Sequence, residues 1–311
     1  MKYILKMAFK NIGRNKRRTF LSAIAISVAV MIVLVMRGYI GGMIDSLFDS
    51  LVKIETGHIK IQHPEYHAKE DMMPLEYMVN GFDGSGYRQV IRKIESILNI
   101  KAIAPRIKFS VLLSYNGKTQ SAMGMGISPK IEKTITSFDK IIVKGNYLID
   151  DEYAKSIIIG EDLADKLGIK LDDRITIVAR TAYDSLKGIT FNVTGIFKYG
   201  ISAIDSKLFY IPIGTASKLL EMDNGVSELI VWIDKPENAE KVAQEIEANI
   251  TESRKSNNYS VTPWQKQEST LSVIKRAMPM YNSIYLGLLI LASTVIINTT
   301  MMVIFERTRE I

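Results

Sequence analysis

Charged side chains are absent from two long stretches of the chain, residues 19–36 and 281–305. At about 1.5 Å of rise per residue, the second reaches across a hydrocarbon core of about 30 Å as one helix. The first holds 18 uncharged residues and is extended beyond Arg37 by Gly38, Tyr39 and Ile40. Two membrane-spanning helices are predicted, over 19–40 and 278–305. Ser22, Ala25 and Ala29 share one face of the first, which suits close helix packing and equally suits plain lipid-facing variation. Asn298 lies within the second, where an amide needs a partner, so it is expected to face another helix.

Ahead of the first span, Leu5, Ala8, Phe9 and Ile12 recur at i, i+3, i+4 and i+7, with Lys2, Lys6 and Lys10 on another face. This predicts an amphipathic basic helix over 1–18 at the membrane interface. Residues 41–51 continue the first span as a helix. HIKIQH, 58–63, alternates as a strand does. Residues 87–98 place Val90, Ile91, Ile94 and Ile97 on one helical stripe. Residues 102–115 read as a strand, with Pro105 marking an edge or a bend, and Asn116-Gly117 as a hairpin turn into a strand over 118–125. Next come a buried-type strand at 156–160 and a helix at 161–167 stopped by Gly168. Strands follow at 174–179, 189–197 and 208–211, with turns at Asp172-Asp173 and Lys187-Gly188. A strand at 228–233, a helix at 236–250 opened by Pro236 and a strand at 259–262 complete the pattern. The expected fold is an α+β domain between two transmembrane helices: a βαβ subdomain from 52–118 and 226–265, with a β-rich subdomain inserted at 119–225.

Charge gives this plan a direction. The chain of 311 residues carries 40 Lys and Arg against 33 Asp and Glu. Lys2, Lys6, Lys10, Arg14, Lys16, Arg17 and Arg18 precede the first span with no acid among them; without these seven the chain carries 33 of each sign. A nucleic-acid surface would spread basic residues over a folded face, so no nucleic-acid partner is expected. Crowded before a hydrophobic run, they place the N-terminus in the cytoplasm. Two spans then return residue 311 to the cytoplasm and leave 41–277 outside, with Lys275 and Arg276 weakly opposing. The first span exceeds a signal-peptide core and has no small-x-small cleavage site after it, so it is expected to be retained.

Chemistry is sparse. There is no cysteine, which removes disulfides, thiolate metal sites and cysteine nucleophiles. His58, His63 and His67 fall within ten residues. A helix would bring His63 and His67 together near Glu70, making them weak metal candidates, but Pro64 and the strand pattern argue against a regular helix there. Gly124 and Gly126 form only a fragment of a dinucleotide fingerprint, and no phosphate-binding G-x-x-x-x-G-K-[ST] occurs. No enzyme site and no cofactor in this chain are expected. Met123, Met125, Met278, Met280, Met301 and Met302 suit an adaptable apolar surface or simple space filling.

The second span closes with IINTTMMVIFERTREI, which resembles the end of the second transmembrane helix of FtsX-like ABC transporter permeases, the family of Lol-type lipoprotein-releasing and MacB-type permeases. The matching residues are Asn298, Thr299, Met302, Val303, Glu306, Arg307, Thr308, Arg309, Glu310 and Ile311. SIIIGEDLADKLGIKLDDRITI and FNVTGIF (191–197) are similar to the MacB-like periplasmic core, and GHIKIQHPEY to a stretch after the first span of Lol-type permeases. The resemblance implies that Glu306, Arg307, Thr308, Arg309, Glu310 and Ile311 begin a cytoplasmic coupling segment docking on a separate ATPase, which holds ATP and Mg. It implies a non-catalytic subunit of the cytoplasmic (inner) membrane, a second permease copy or paralogue, and a lipoprotein or other apolar substrate moved by the outer domain. Members have four spans, whereas this sequence stops as the cytoplasmic helix begins, so a truncated or fragmentary product is expected. Two other readings share the topology: a two-span sensory receptor with an outer ligand-binding domain, and a membrane-anchored adhesion or scaffold domain.

Overall fold

The computed structural model describes residues 16–136, 138–251 and 259–308. The chain divides into two compact units, Ser50–Thr270 on the one hand and Met1–Asp49 with Leu271–Ile311 on the other. In the second of these, helix α1 runs over Lys16–Leu51 and the last helix, α9, over Glu268–Thr308. Their most apolar windows are Ile26–Met43 and Pro279–Asn298, with mean hydropathies of 1.9 and 1.8, and almost none of either window is buried. Leu34, Val35, Leu291 and Ile297 are each more than half exposed, an arrangement that is stable against lipid and not against water. The Arg37 guanidinium lies 5.3 Å from the centre of the Tyr285 ring, a cation–π contact between the two helices. Most of the predicted helix over 1–18 lies outside the described residues.

The other unit is built on a ten-stranded sheet in the order β10-β1-β9-β2-β3-β8-β5-β7-β4, with β6 joining β2 to β7. The strands are β1 Ile59–Gln62, β2 Ile100–Tyr115, β3 Lys118–Ile127, β4 Ile142–Gly145 and β5 Ser156–Gly160. They continue as β6 Arg174–Arg180, β7 Leu186–Phe197, β8 Leu208–Pro212, β9 Glu228–Ile233 and β10 Ser260–Pro263. Because β6 pairs with both β2 and β7, the strands β2-β3-β8-β5-β7-β6 close on themselves as a small barrel. Phe109, Ile159, Ile177, Phe191 and Phe209 are all buried in its filling. β2 serves two structures: its second half closes the barrel, and its first half pairs with β9 in an open sheet that continues to β1 and β10. The subdomains expected from the sequence therefore share one sheet, and the β2–β3 hairpin is their joint.

The turn of that hairpin is Asn116-Gly117, with φ of 47° and 75°. This is the left-handed pair that a two-residue connection between twisted strands requires. Pro105 stands where β2 loses β3, whose pairing stops at Arg106 opposite Ile127. The Arg106 carbonyl accepts from the Ser227 N–H on the β9 side, so by alternation Pro105 faces the open side, where no ladder bond is missed.

Three expectations need correction. Lys187-Gly188 is not a turn but lies inside β7; the chain reverses earlier, around Asp184 at φ 68°. The helix expected over 87–98 shortens to α3, Arg88–Ile94, because beyond Ile94 only Ile97 remains to be covered. A regular helix, α2, does form at Pro64–Ala68. Pro64 takes the first helical position, where a missing N–H is harmless, and the His63 imidazole caps the helix by accepting from the Glu65 N–H at 3.2 Å. The remaining helices are α4 Pro129–Thr136, α5 Glu161–Leu167, α6 Ser202–Asp205, α7 Ile213–Leu220 and α8 Ala239–Thr251. Gly124 and Gly126 lie within β3. A Cβ at the first would collide with Phe109 and Phe209, and at the second with Ala216, so they are packing glycines with no phosphate loop about them.

Candidate functional site

In a strand, successive side chains point to opposite faces, and β1, β9 and the first half of β2 use the two faces for different purposes. One face gives Ile59, Ile61, Leu229, Val231, Ile103 and Ile107 to the apolar core beneath α3 and α8. The other gives Lys60, Gln62, Glu228, Arg106 and Lys108, all buried. Burying such groups is unfavourable unless each finds a partner, and the covering segments supply them. These are a π-helical turn at Val52–Thr56, α2, a 3-10 turn at Glu70–Met72, and α4.

Arg106 is the hub. Its Nε and Nη2 donate to the two Glu132 carboxylate oxygens, at 2.5 and 3.1 Å. Its Nη1 donates to the Ile54 carbonyl at 2.6 Å. The planar fork thus grips α4 and the π-turn together, a geometry lysine cannot reproduce. Two residues along the same face, Lys108 Nζ donates to Glu55 at 3.0 Å and lies 3.8 Å from Glu70. Glu70 also accepts from Lys60 at 2.6 Å. Lys60 in turn lies 3.7 Å from Glu228, which accepts from the Gln62 amide at 3.2 Å. A further point of closure is Gly57, whose N–H donates to the Val52 carbonyl at 2.7 Å and ends the π-turn. Its φ of +56° and the press of Ile230 against its Cα exclude a side chain.

The electrostatics follow from these contacts. Lys108 holds the Glu55 carboxyl below its ordinary range, against the opposing effect of burial. Burial also opposes ionisation of Glu70, but Lys60 and Lys108 outweigh it and the net direction is down. For Lys108 itself burial disfavours the charged form, and Glu55, Glu228 and Glu70 more than reverse this, so the ammonium is held above its usual value. Arg106 behaves alike, burial being overcome by Glu132. Burial pushes the Tyr66 hydroxyl up. Every one of these groups is held in its ordinary ionic state near neutrality. That is the signature of a structural lock, not of a proton-transfer site poised near pH 7.

The histidines do not converge. His58 Nδ1 accepts from the Ile233 N–H at 3.0 Å, and burial lowers its proton affinity. His63 caps α2 and stacks on Tyr77, while His67 Nδ1 sits 3.3 Å from Gln62 Oε1. Among the described residues no group of three His, Cys, Asp or Glu could hold a metal ion. Glu306, Arg307 and Thr308 lie in the last turns of α9. Their side chains, and all of Arg309, Glu310 and Ile311, are outside the described residues, as are the side chains of Ser22 and Ala25. Ala29 is half-buried and Asn298 exposed in this chain.

The ionic face is what sequence reading missed. HIKIQH carries its polar residues at alternate positions, as a solvated strand face does, and PRIKF repeats the pattern. The one signal available was Glu228, a lone acid opening the otherwise apolar strand ELIVWI.

Residues 19–249 match the family described as the MacB-like periplasmic core domain. The lipoprotein-releasing system transmembrane protein LolC of Neisseria meningitidis serogroup B is 27% identical over 160 residues, covering 49% of this chain and 38% of the relative. The uncharacterized ABC transporter permease MJ1507 of Methanocaldococcus jannaschii is 24% identical over 316 residues, covering 99% of this chain and 73% of the relative. Among solved structures, the extracellular domain of the ABC-type transporter YknZ from Gram-positive bacteria aligns with a TM-score of 0.47 at 14% identity, over 66% of this chain and 98% of that one. The periplasmic region of MacB from Actinobacillus actinomycetemcomitans aligns with a TM-score of 0.46 at 14% identity, over 72% and 95%.

Proposed function

As the chain belongs to the MacB-like periplasmic core domain family and is of the ABC transporter permease type, we propose that it transmits force from a cytoplasmic ATPase to an outer domain that moves a lipoprotein or another apolar substrate. In this reading the chain is non-catalytic and needs no cofactor of its own; ATP and Mg belong to the ATPase. Residues 41–277 lie outside the cytoplasmic membrane, and a second permease copy or a paralogue completes the pathway. Glu306, Arg307, Thr308, Arg309, Glu310 and Ile311 form the handle on the ATPase. Asn298, with Ser22, Ala25 and Ala29, packs against neighbouring helices.

The observation that carries the reading is the grip of the sheet on the turn at Val52–Thr56. The π-turn, the first turn of the sheet-bearing unit, is held by Arg106 through the Ile54 carbonyl and by Lys108 through Glu55. A lever arm works only if its far end does not yield. Pulling the turn away would strand buried charges, at about 3–5 kcal/mol for each partner lost. The subdomain of 52–118 with 226–265 then takes up the motion, and the insert at 119–225 is carried through the shared strand β2.

Solubilised membranes bearing the tagged chain are expected to retain an ATP-hydrolysing subunit. Arg307→Glu combined with Arg309→Glu is expected to release it while leaving the chain in the membrane. Undiminished ATPase co-purification with the reversed charges overturns the coupling role.

A further inference from the structure

Beside α3 the sheet-bearing unit has a cleft of about 520 Å³ that the buried lock does not use, a volume suited to a small organic molecule. Arg88 and Arg92 line it from α3, four residues apart on one helical stripe, where like charges repel. Arg88 is 71% exposed and has one carboxylate near it, that of Glu152 at 3.7 Å, itself 39% exposed. Arg92 bonds the Arg88 carbonyl at 3.4 Å, and among the described residues no carboxylate pairs with it. The start of α4 supplies Ser128 and Ile131. Ser128 stands just before the helix, and its carbonyl accepts from the Glu132 N–H at 3.0 Å, which is the place of a capping residue. Its hydroxyl does no capping: Ser128 is 6% exposed, and among the described residues its Oγ has no hydrogen-bond partner. The Lys130 and Ile131 N–H groups lie in the first turn of α4, where no intrahelical carbonyl faces them, and among the described residues they too lack an acceptor. Donors are therefore in surplus about the cleft, and acceptors are short. Ile91, Pro105 and Ile131 add apolar surface to the same lining.

We propose that this cleft binds a small amphiphile, a phosphate head on a compact apolar body. Phosphate oxygens suit the planar forks of Arg88 and Arg92. They also suit the unused Ser128 hydroxyl and the free N–H groups at the positive end of α4. An anion shared by the two arginines turns their repulsion into a common attraction. It gives Arg92 a counter-ion and displaces Glu152 from a weak exposed pair with Arg88. The apolar body lies against Ile91, Pro105 and Ile131. The site needs neither an ATPase nor a transported substrate, and so stands apart from the permease reading.

The test uses the full chain in phosphatidylcholine nanodiscs, with 2-naphthyl phosphate as the probe and titration calorimetry as the readout. Saturable binding is expected, with inorganic phosphate and 2-naphthol each weaker by about tenfold or more, since each carries only part of what the cleft recognises. Arg88→Gln with Arg92→Gln is expected to weaken the probe by about tenfold or more, and Ser128→Ala by about threefold or more; an unchanged circular dichroism spectrum shows the fold intact. Glu152→Gln removes the competing carboxylate and is expected to tighten binding by about threefold, a gain that misfolding cannot imitate. Absence of saturable binding, equal affinity for 2-naphthol, or indifference to the double arginine variant each overturns the proposal. Displacement of the probe by soluble dihexanoyl phosphatidylglycerol supports it, with a lipid headgroup as the source of the phosphate. Displacement by hexyl phosphate alone supports it, with a free amphiphile as the source, and displacement by neither overturns it.

Discussion

The two faces of β1, β9 and the first half of β2 share a backbone, a register and a degree of burial, and differ in what they bury. Ile59, Ile61, Leu229 and Val231 meet α3 and α8 through contacts that are individually small and non-directional. Lys60, Arg106 and Lys108 meet the 3-10 turn, α4 and the π-turn, and Lys60 meets Glu228, through a few directed bonds between full charges. The apolar face can lose a methyl and re-settle. The ionic face holds one arrangement, because any other leaves a charge alone in a medium that solvates it poorly. The first face supports the fold in general, and the second fixes the position of one particular segment, the turn at Val52–Thr56. Under the proposed function, force passes through that turn, and directed ionic bonds hold it in one place where apolar contacts would let it re-settle.

The contrast breaks most sharply at Glu132. In Glu132→Ala the fully buried Arg106 keeps its charge and loses both carboxylate bonds, and a destabilisation of about 3–5 kcal/mol is expected. Ile61→Val on the opposite face removes one methyl and is expected to cost about 1 kcal/mol. Both tryptophans, Trp232 and Trp264, lie in the outer unit, so urea unfolding of the full chain in detergent, followed by fluorescence, reads the two variants on one scale. The pair Arg106→Met with Glu132→Leu is expected to recover most of the stability, since replacing both charges removes the stranded one. If it does so while uncoupling ATP hydrolysis from transport, the lock serves position and not stability.

Acid separates the faces more gently. Glu55 and Glu70 are held below their ordinary value of 4.5 in the folded chain. Their pairing therefore contributes stability above about pH 4.5 that is lost as the pH falls through the lowered folded values. The stability gap between the wild type and Glu55→Gln is expected to narrow as the pH is taken from about 5 toward 3. The gap for Ile61→Val is expected to stay constant over the same range. Lys108 has the opposite sign: raised in the folded state, it contributes below its ordinary value of 10.5 and is lost only in stronger alkali. A Glu55→Gln gap that ignores acid would mean that Lys108 holds the turn by packing alone.

The same contrast marks what could be read from the sequence. Period and punctuation are local, so β9 at 228–233, α5 with its stop at Gly168, and the Asn116-Gly117 hairpin were legible within a residue or two. The existence of the two apolar helices was legible as well, since length and charge suffice, although the last helix begins at Glu268, ten residues before the 278 expected. The ionic face was not, because Lys60 and Lys108 look like a solvated strand face until Glu55 and Glu70 are laid over them, and Glu132, which covers Arg106, is 26 residues away along the chain. Closure of the barrel by β6 on β2 was hidden for the same reason: strand partners distant in sequence leave no local pattern. His63 shows the converse error, where Pro64 was weighed as a helix breaker although at a first helical position it is a helix starter.

The smallest effect is expected where an ion pair of the same length stands in water. Lys187 donates to Glu221 at 2.9 Å, with side chains 44% and 36% exposed, against 3.0 Å for Lys108 and Glu55, where the lysine side chain is 5% exposed. Distance makes the two pairs equals; burial does not. At the surface, solvent screens the attraction and fixing two long side chains offsets most of what remains. Lys187→Ala is therefore expected to leave the urea midpoint unchanged, while Lys108→Ala lowers it by more than Ile61→Val does. Equal losses from the two lysines would mean that proximity and not desolvation sets the strength of the lock, and the ionic face would then be an ordinary set of salt bridges that happens to be covered.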